Sequence, residues 1–226
     1  MKTWGGARAG AGRPPNGEGA GMPHDTRPLL ASRHPVHVTV RMRPHVWNLR
    51  AKRSFRILER AFAKARERNG MRLCHFSVQG NHLHLLVEAK DKDALAQGMK
   101  GLAVRIARGL NKLMGTRGRV IADRYHARIL RTPREVKNAL ASVLKNLHHR
   151  AKTWGKRVQS ATWLDPCASG RWFDGWRWPT AKAASPRQGT GALAGPAQRT
   201  GPTPVARPHT WLLRTGWRRH GLIAPA

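Results

Sequence analysis

The residues of this chain best placed to do chemistry are two histidines, His82 and His84, separated by a single leucine. They stand in a short apolar run, residues 79–88, QGNHLHLLVE. Side chains alternate faces along a β-strand, so both imidazoles project to one side while Leu83, Leu85 and Val87 project to the other. Two imidazoles on one pleat can share a divalent cation, and the Gly80-Asn81 pair ahead of them is a tight-turn signal that fixes where the strand begins. A half-exposed strand that carries histidines with no metal role fits the same pattern. His-x-His is short and often matched by chance, so the surrounding elements have to discriminate.

Composition narrows the class of partner. The 226 residues hold 43 Lys and Arg against 11 Asp and Glu, a formal net charge of +32. That excess does not suit a protein devoted to a small neutral substrate; it attracts polyanions, of which nucleic acid is the commonest. An RNA-coating protein would carry the same charge, so the charge names the partner and not the reaction. No apolar run is long enough for a membrane span and none near the start reads as a signal peptide, which predicts a cytoplasmic protein without a membrane partner. Cys74 and Cys167 stand far apart, which excludes a disulfide framework or a cysteine-ligated zinc ribbon. Cys74, in an apolar alternation, reads as a core residue.

The elements that must position the histidine pair follow from periodicity. Residues 1–32 are rich in Gly, Ala, Pro and Arg and read as a disordered basic arm; Gly12-Arg13-Pro14 resembles a minor-groove hook within it. From His34, Val36, Val38 and Val40 alternate with His37, Thr39 and Arg41, a strand with one buried face. Residues 49–69 carry Phe55, Leu58, Phe62 and Ala65 at helical spacing, with Gly70 as the stop. Residues 71–79 and 82–89 read as a hairpin. A second helix over 91–114 carries Leu95, Met99, Leu102, Ile106, Leu110 and Leu113 in one stripe, and Gly115 ends it. Residues 118–131 read as a fourth strand. The third helix opens at Thr132 with Pro133 and a capping box to Glu135, and buries Val136, Leu140, Val143 and Leu147. This order predicts an α+β, ferredoxin-like βαββαβα domain over residues 33–151, with a four-stranded antiparallel sheet and helices on one face.

The last third differs. Seven of the nine tryptophans follow residue 150. A Trp-rich extension over 152–178, a flexible linker over 179–208 and a basic C-terminal helix over 209–226 describe the pattern. Trp211 and Trp217, interleaved with Arg214, Arg218 and Arg219, either pack on the domain or stack on bases.

Taken together, GNHLHLLVEA, RYHARILRTPREVKNAL and the WLLRTGWRRHG tail resemble the REP-associated tyrosine transposases, a branch of the single-tyrosine HUH transposases; the resemblance covers about residues 30–225. It implies DNA transposition by cleavage and rejoining of single-stranded DNA at imperfect palindromic hairpins. It also implies a divalent cation, Mg or Mn, held by His82, His84 and Asn146. The cation polarises the scissile phosphate while a tyrosine attacks it, leaving a phosphotyrosyl link and a free sugar hydroxyl. The resemblance puts that tyrosine in the third helix, where this chain has Ser142. The only tyrosine is Tyr125, which alternates with Ala127 and Ile129 as a core residue would and stays a second candidate nucleophile. Arg124, Arg128 and Arg131, with Arg214, Arg218 and Arg219, are the expected DNA-backbone contacts. Glu88, Asp91 and Asp93 can add an acidic ligand or simply mark a strand end and a helix start. His148 and His149 read as helix-end cations that contact phosphate. Two further readings stand: the same fold kept only for DNA binding, and a basic RNA-binding protein.

Overall fold

The computed structural model describes residues 28–146, 163–178 and 203–225. The basic arm up to residue 27, Leu147, His148, His149, Trp154 and most of the expected linker lie outside them. The order of elements begins β1 (Val36–Arg41), α1 (Lys52–Ala65), β2 (Glu67–Arg68), β3 (Met71–Val78) and β4 (His82–Ala89). It continues with α2 (Lys92–Met114), β5 (His126–Ile129) and α3 (Pro133–Leu144). The strands form one antiparallel sheet in the order β2-β3-β4-β1-β5, and its four principal strands have the ferredoxin-like arrangement.

The sheet has five strands where the sequence predicted four, and the reason is local. Asn69 and Gly70 both adopt positive φ, 53° and 71°. An Asn-Gly pair with that geometry makes a two-residue hairpin turn. It folds Glu67 and Arg68 back against Arg72 and Met71, so the last turn of the expected first helix becomes β2. The fourth predicted strand is also shorter than expected. Thr39 opposes His126, yet Met42 opposes Ile121, where an unbroken ladder would bring Asp123. The chain bulges between, and the Asp123 carboxylate accepts the backbone N–H of Arg124 at 2.7 Å.

Helices cover both faces, which corrects the expectation of one covered face. On one face Val36, Val38, Val40, Leu83, Leu85 and Val87 pack with α1 and α2 around Phe62 and Phe76, whose rings lie 4.6 Å apart. Each fully buried side chain of that size contributes about 1.5–3 kcal/mol. Asp91 caps the start of α2, accepting from the backbone N–H groups of Asp93 and Ala94, and Gly115 ends it in the left-handed conformation. On the other face α3 packs on Cys74 and Leu86 through Val136, Leu140, Val143 and Leu144. Its capping box is formed as read: Thr132 accepts from the Glu135 N–H and Glu135 accepts from the Thr132 N–H.

The C-terminal third closes the sheet edge and the α3 layer. The free edge of β3 is met by two strips of backbone. Val78 N–H donates to Cys167 and Ala206 N–H donates to the Leu73 carbonyl, so an edge that would otherwise template aggregation is paired. Arg50 clamps the first strip with two bonds to the buried carboxylate of Asp165, at 2.9 and 2.7 Å. The expected basic C-terminal helix takes the form of a single α-helical turn, Trp211–Arg214, followed by a 3₁₀ segment, Gly216–His220. Leu212, Leu213 and Trp217 from these turns pack against α3. No helix among the described residues is long and apolar enough to cross a membrane.

Candidate functional site

The face of the sheet opposite α1 and α2 carries the histidines. Because β1 buries its valines on the other side, His37, Thr39 and Arg41 turn toward this one, and register then fixes their neighbours. Arg41 opposes His82 on β4. Thr39 lies between His84 on β4 and His126 on β5, and His37 lies between Leu86 and Arg128. Three adjacent strands therefore set four histidines and two arginines on one surface.

His82 and His84 are half-buried, and their ring centroids stand 4.9 Å apart in an edge-to-face arrangement. His82 Nδ1 pairs with Asn81 Oδ1 at 2.9 Å, and His84 Nδ1 pairs with Thr39 Oγ1 at 3.3 Å. A partner on Nδ1 fixes ring orientation, and in the tautomer with Nδ1 protonated it makes Nε2 the ligating nitrogen. The His37 ring lies 5.4 Å from that of His84. Burial holds His37 below the ordinary imidazole range, and the nearby His126 and Arg128 add to the effect.

Two imidazoles suit borderline divalent ions better than magnesium, which prefers an all-oxygen shell. Among the described residues no group of three or more His, Cys, Asp or Glu is placed to hold a metal ion. Any cation on the pair would complete its shell with oxygen ligands. Asn146, just beyond α3, is half-buried and has an amide carbonyl of the right type. Glu88 is committed elsewhere: its buried carboxylate accepts from the backbone N–H groups of His209 and Thr210, the Thr210 hydroxyl and Arg72. Asp91 and Asp93 belong to the start of α2.

The two candidate nucleophiles fall on opposite sides. Ser142 is exposed on α3, in the layer over the histidine-bearing face. Tyr125 is half-buried against the core formed with α1 and α2. The candidate DNA contacts lie around β5, at the start of α3 and on the C-terminal turns. Arg124 is half-buried at the bulge before β5, and Arg128 is exposed on β5, 3.2 Å from Glu135. Arg131 is exposed at the start of α3, where its backbone N–H donates to Glu135. Arg214 and Arg219 are exposed on the C-terminal turns, Arg219 lying 4.8 Å over the Trp211 ring. Arg218 pairs with Asp174 at 2.8 Å. Trp217 is a core residue, 1% exposed, so of the two interleaved tryptophans only Trp211 reaches the surface.

His37 and His126 join the site without having been singled out in the sequence. Alternation on β1 does put His37 on the polar face, but the pairing of β1 with both β4 and β5 is long-range information.

Comparison with known proteins agrees with this architecture. The family model described as IS200-like transposase matches residues 31–138. Among solved structures, the chain is similar to a REP-associated tyrosine transposase bound to a REP hairpin, with 14% identity and a TM-score of 0.50. That match covers 66% of this chain and 82% of the other, and it speaks for a shared fold. The chain is also similar to a candidate transposase from Deinococcus radiodurans R1, at 13% identity and a TM-score of 0.36, covering 60% of this chain and 95% of that one. No curated protein matches the chain.

Proposed function

Because this chain belongs to the IS200-like transposase family through residues 31–138, we propose that it binds single-stranded DNA folded into imperfect palindromic hairpins. The strand lies against the sheet face that carries His82 and His84. The observation that carries this reading is the pair itself, with each Nδ1 engaged by a neighbour and with Arg41, His126 and Arg128 on the flanking strands. Positive charge on that face would neutralise phosphates, and affinity would fall steeply with salt. His82 and His84 hold a divalent cation through Nε2, with Asn146 adding its carbonyl oxygen and the bound DNA the remaining ligands. When bound, such a cation polarises the scissile phosphate. Thr39 and Asn81 keep the two rings in ligating orientation.

The chain's own nucleophile is the weak point of the chemistry. Its single tyrosine is Tyr125, which packs with the α1/α2 core and not on the histidine face. Ser142 replaces the phenol expected on α3 with a hydroxyl that is less acidic and shorter by a ring. Hairpin binding is therefore the retained function, and tyrosine-type cleavage and rejoining is not. A mobility-shift titration tests this, using a hairpin oligonucleotide from DNA flanking the gene, with and without manganese. The expected result is a manganese-enhanced shift that His82→Ala and His84→Ala both weaken. Stronger binding to a matched RNA, indifferent to both substitutions, would replace this reading with an RNA-binding one.

A further inference from the structure

The loop between β1 and α1 presents an exposed indole next to the turn that leads into the histidine strand. Trp47 is 50% exposed, whereas its neighbours Val46 and Leu49 are buried at 8% and 0%. Scattered exposed hydrophobic residues are common and need no function. Three features set this one apart. First, the loop is stapled to the turn that leads into His82: Met42 N–H donates to Asn81 at 2.8 Å and Leu49 N–H donates to Gly80 at 2.9 Å. Second, the loop is held internally, with Arg50 N–H on Asn48 Oδ1 at 2.9 Å and Val46 N–H on the Arg43 carbonyl at 3.1 Å. The indole is thus held in place outside the core by a fixed backbone. Third, exposed Arg41, Arg43 and His45 precede it, so its surroundings attract phosphate.

The other exposed tryptophan of the described residues is arranged differently. Arg219 stacks over Trp211, and a side chain added at Gly216 would come within 2.7 Å of its ring. Trp211 already has partners; Trp47 has no ring or cation stacked on it among the described residues.

We infer that Trp47 is a stacking platform for an unpaired base of the strand that flanks the hairpin, holding that strand where it enters the His82 and His84 face. This inference rests on the hairpin-binding reading above. A base stacks on an aromatic ring with little regard to sequence, so an oligothymidine extension is an adequate probe.

The test compares affinities of the full chain for a blunt DNA hairpin and for the same hairpin carrying a single-stranded oligothymidine extension on its 5′ or 3′ side. All measurements use one salt concentration. The extension is expected to tighten binding by the wild type. Trp47→Ala should lose about 5- to 150-fold on the extended hairpin, the range for one stacked base, and stay unchanged on the blunt one. Trp47→Phe should keep most of the gain. If the wild type gains nothing from either extension, or Trp47→Ala keeps the gain, the platform is refuted while hairpin binding stands. A wild type that binds neither hairpin refutes the hairpin-binding reading and this inference with it, and that result is distinct from the first two. Equal losses on both hairpins would assign Trp47 to the fold of the loop and overturn the inference.

Discussion

Replacing Glu88 with Gln is expected to release the C-terminal turns from the sheet before the domain itself unfolds. One oxygen of the buried carboxylate accepts from the backbone N–H of Thr210 and from its hydroxyl, both at 2.8 Å. The other accepts from His209 N–H at 2.9 Å and from Arg72 at 3.3 Å. Hydrogen bonds to a charged group contribute about 1.5–3 kcal/mol each, neutral ones about 0.5–1.5. Neutralising the acceptor therefore weakens the three donors from His209 and Thr210 by about 1 kcal/mol each, His209 N–H keeping only its 3.1 Å approach to the remaining oxygen while the new amide group faces Arg72. A loss of about 3 kcal/mol follows, confined to this junction because Arg72 keeps its second partner, Glu67. Leu212, Leu213, Trp217 and Ile223 still hold the segment by burial. Hydrogen exchange followed by peptide mass is the assay. Amides of residues 209–221 should exchange roughly a hundredfold faster, at 1.36 kcal/mol per tenfold, while those of β1 and β4 keep their protection. Unchanged exchange in 209–221, or an equal rise across the whole sheet, would refute the anchoring role.

Three further outcomes are expected. His75 is buried, and burial lowers its pKa to about 4, so the folded state holds it neutral. Its contribution is intact above the ordinary value of 6.5 and is lost as pH falls toward 4, by at most ~1.4 kcal/mol per pH unit; urea titrations should show a shallower slope in His75→Gln. Gly109→Ala should destabilise by about 1–3 kcal/mol, because a Cβ there would lie 2.3 Å from Ile57 Cγ2 at the α1–α2 contact, and thermal melts will read it. Thr132→Ala removes the cap of α3 and should cost about 1 kcal/mol in the same melts.

Much of the domain was legible in the chain because local signals agreed with the global fold. The helix start at Asp91, the Gly115 stop, the capping box at Thr132 and the alternation of β1 and β4 each rest on a few neighbouring residues, and each is formed. Asn69-Gly70 was a local signal too, but the helical stripe before it masked its hairpin meaning. What the chain could not reveal was long-range. The face on which α3 settles depends on Cys74 and Leu86 being buried on the side away from α1 and α2. Leu86 breaks the alternation of the histidine face with an apolar residue, which is the trace of that layer on β4. The anchoring of residues 203–210 to β3 and Glu88 joins positions more than a hundred apart, and no periodicity announces it. For the site, His-x-His was readable as a same-face pair, whereas the placement of Tyr125 across the sheet required the tertiary structure.

The central claim is a hairpin-binding site that keeps the histidine pair and has lost its phenol, and denaturing electrophoresis after incubation with a labelled hairpin and manganese tests it most directly. Ser142→Tyr is predicted to yield a covalent protein–DNA band that disappears when His82→Ala is added, while the natural chain binds the same hairpin and yields none. A covalent band from the natural chain that is lost in Ser142→Ala, or no band from Ser142→Tyr despite normal hairpin binding, would contradict it.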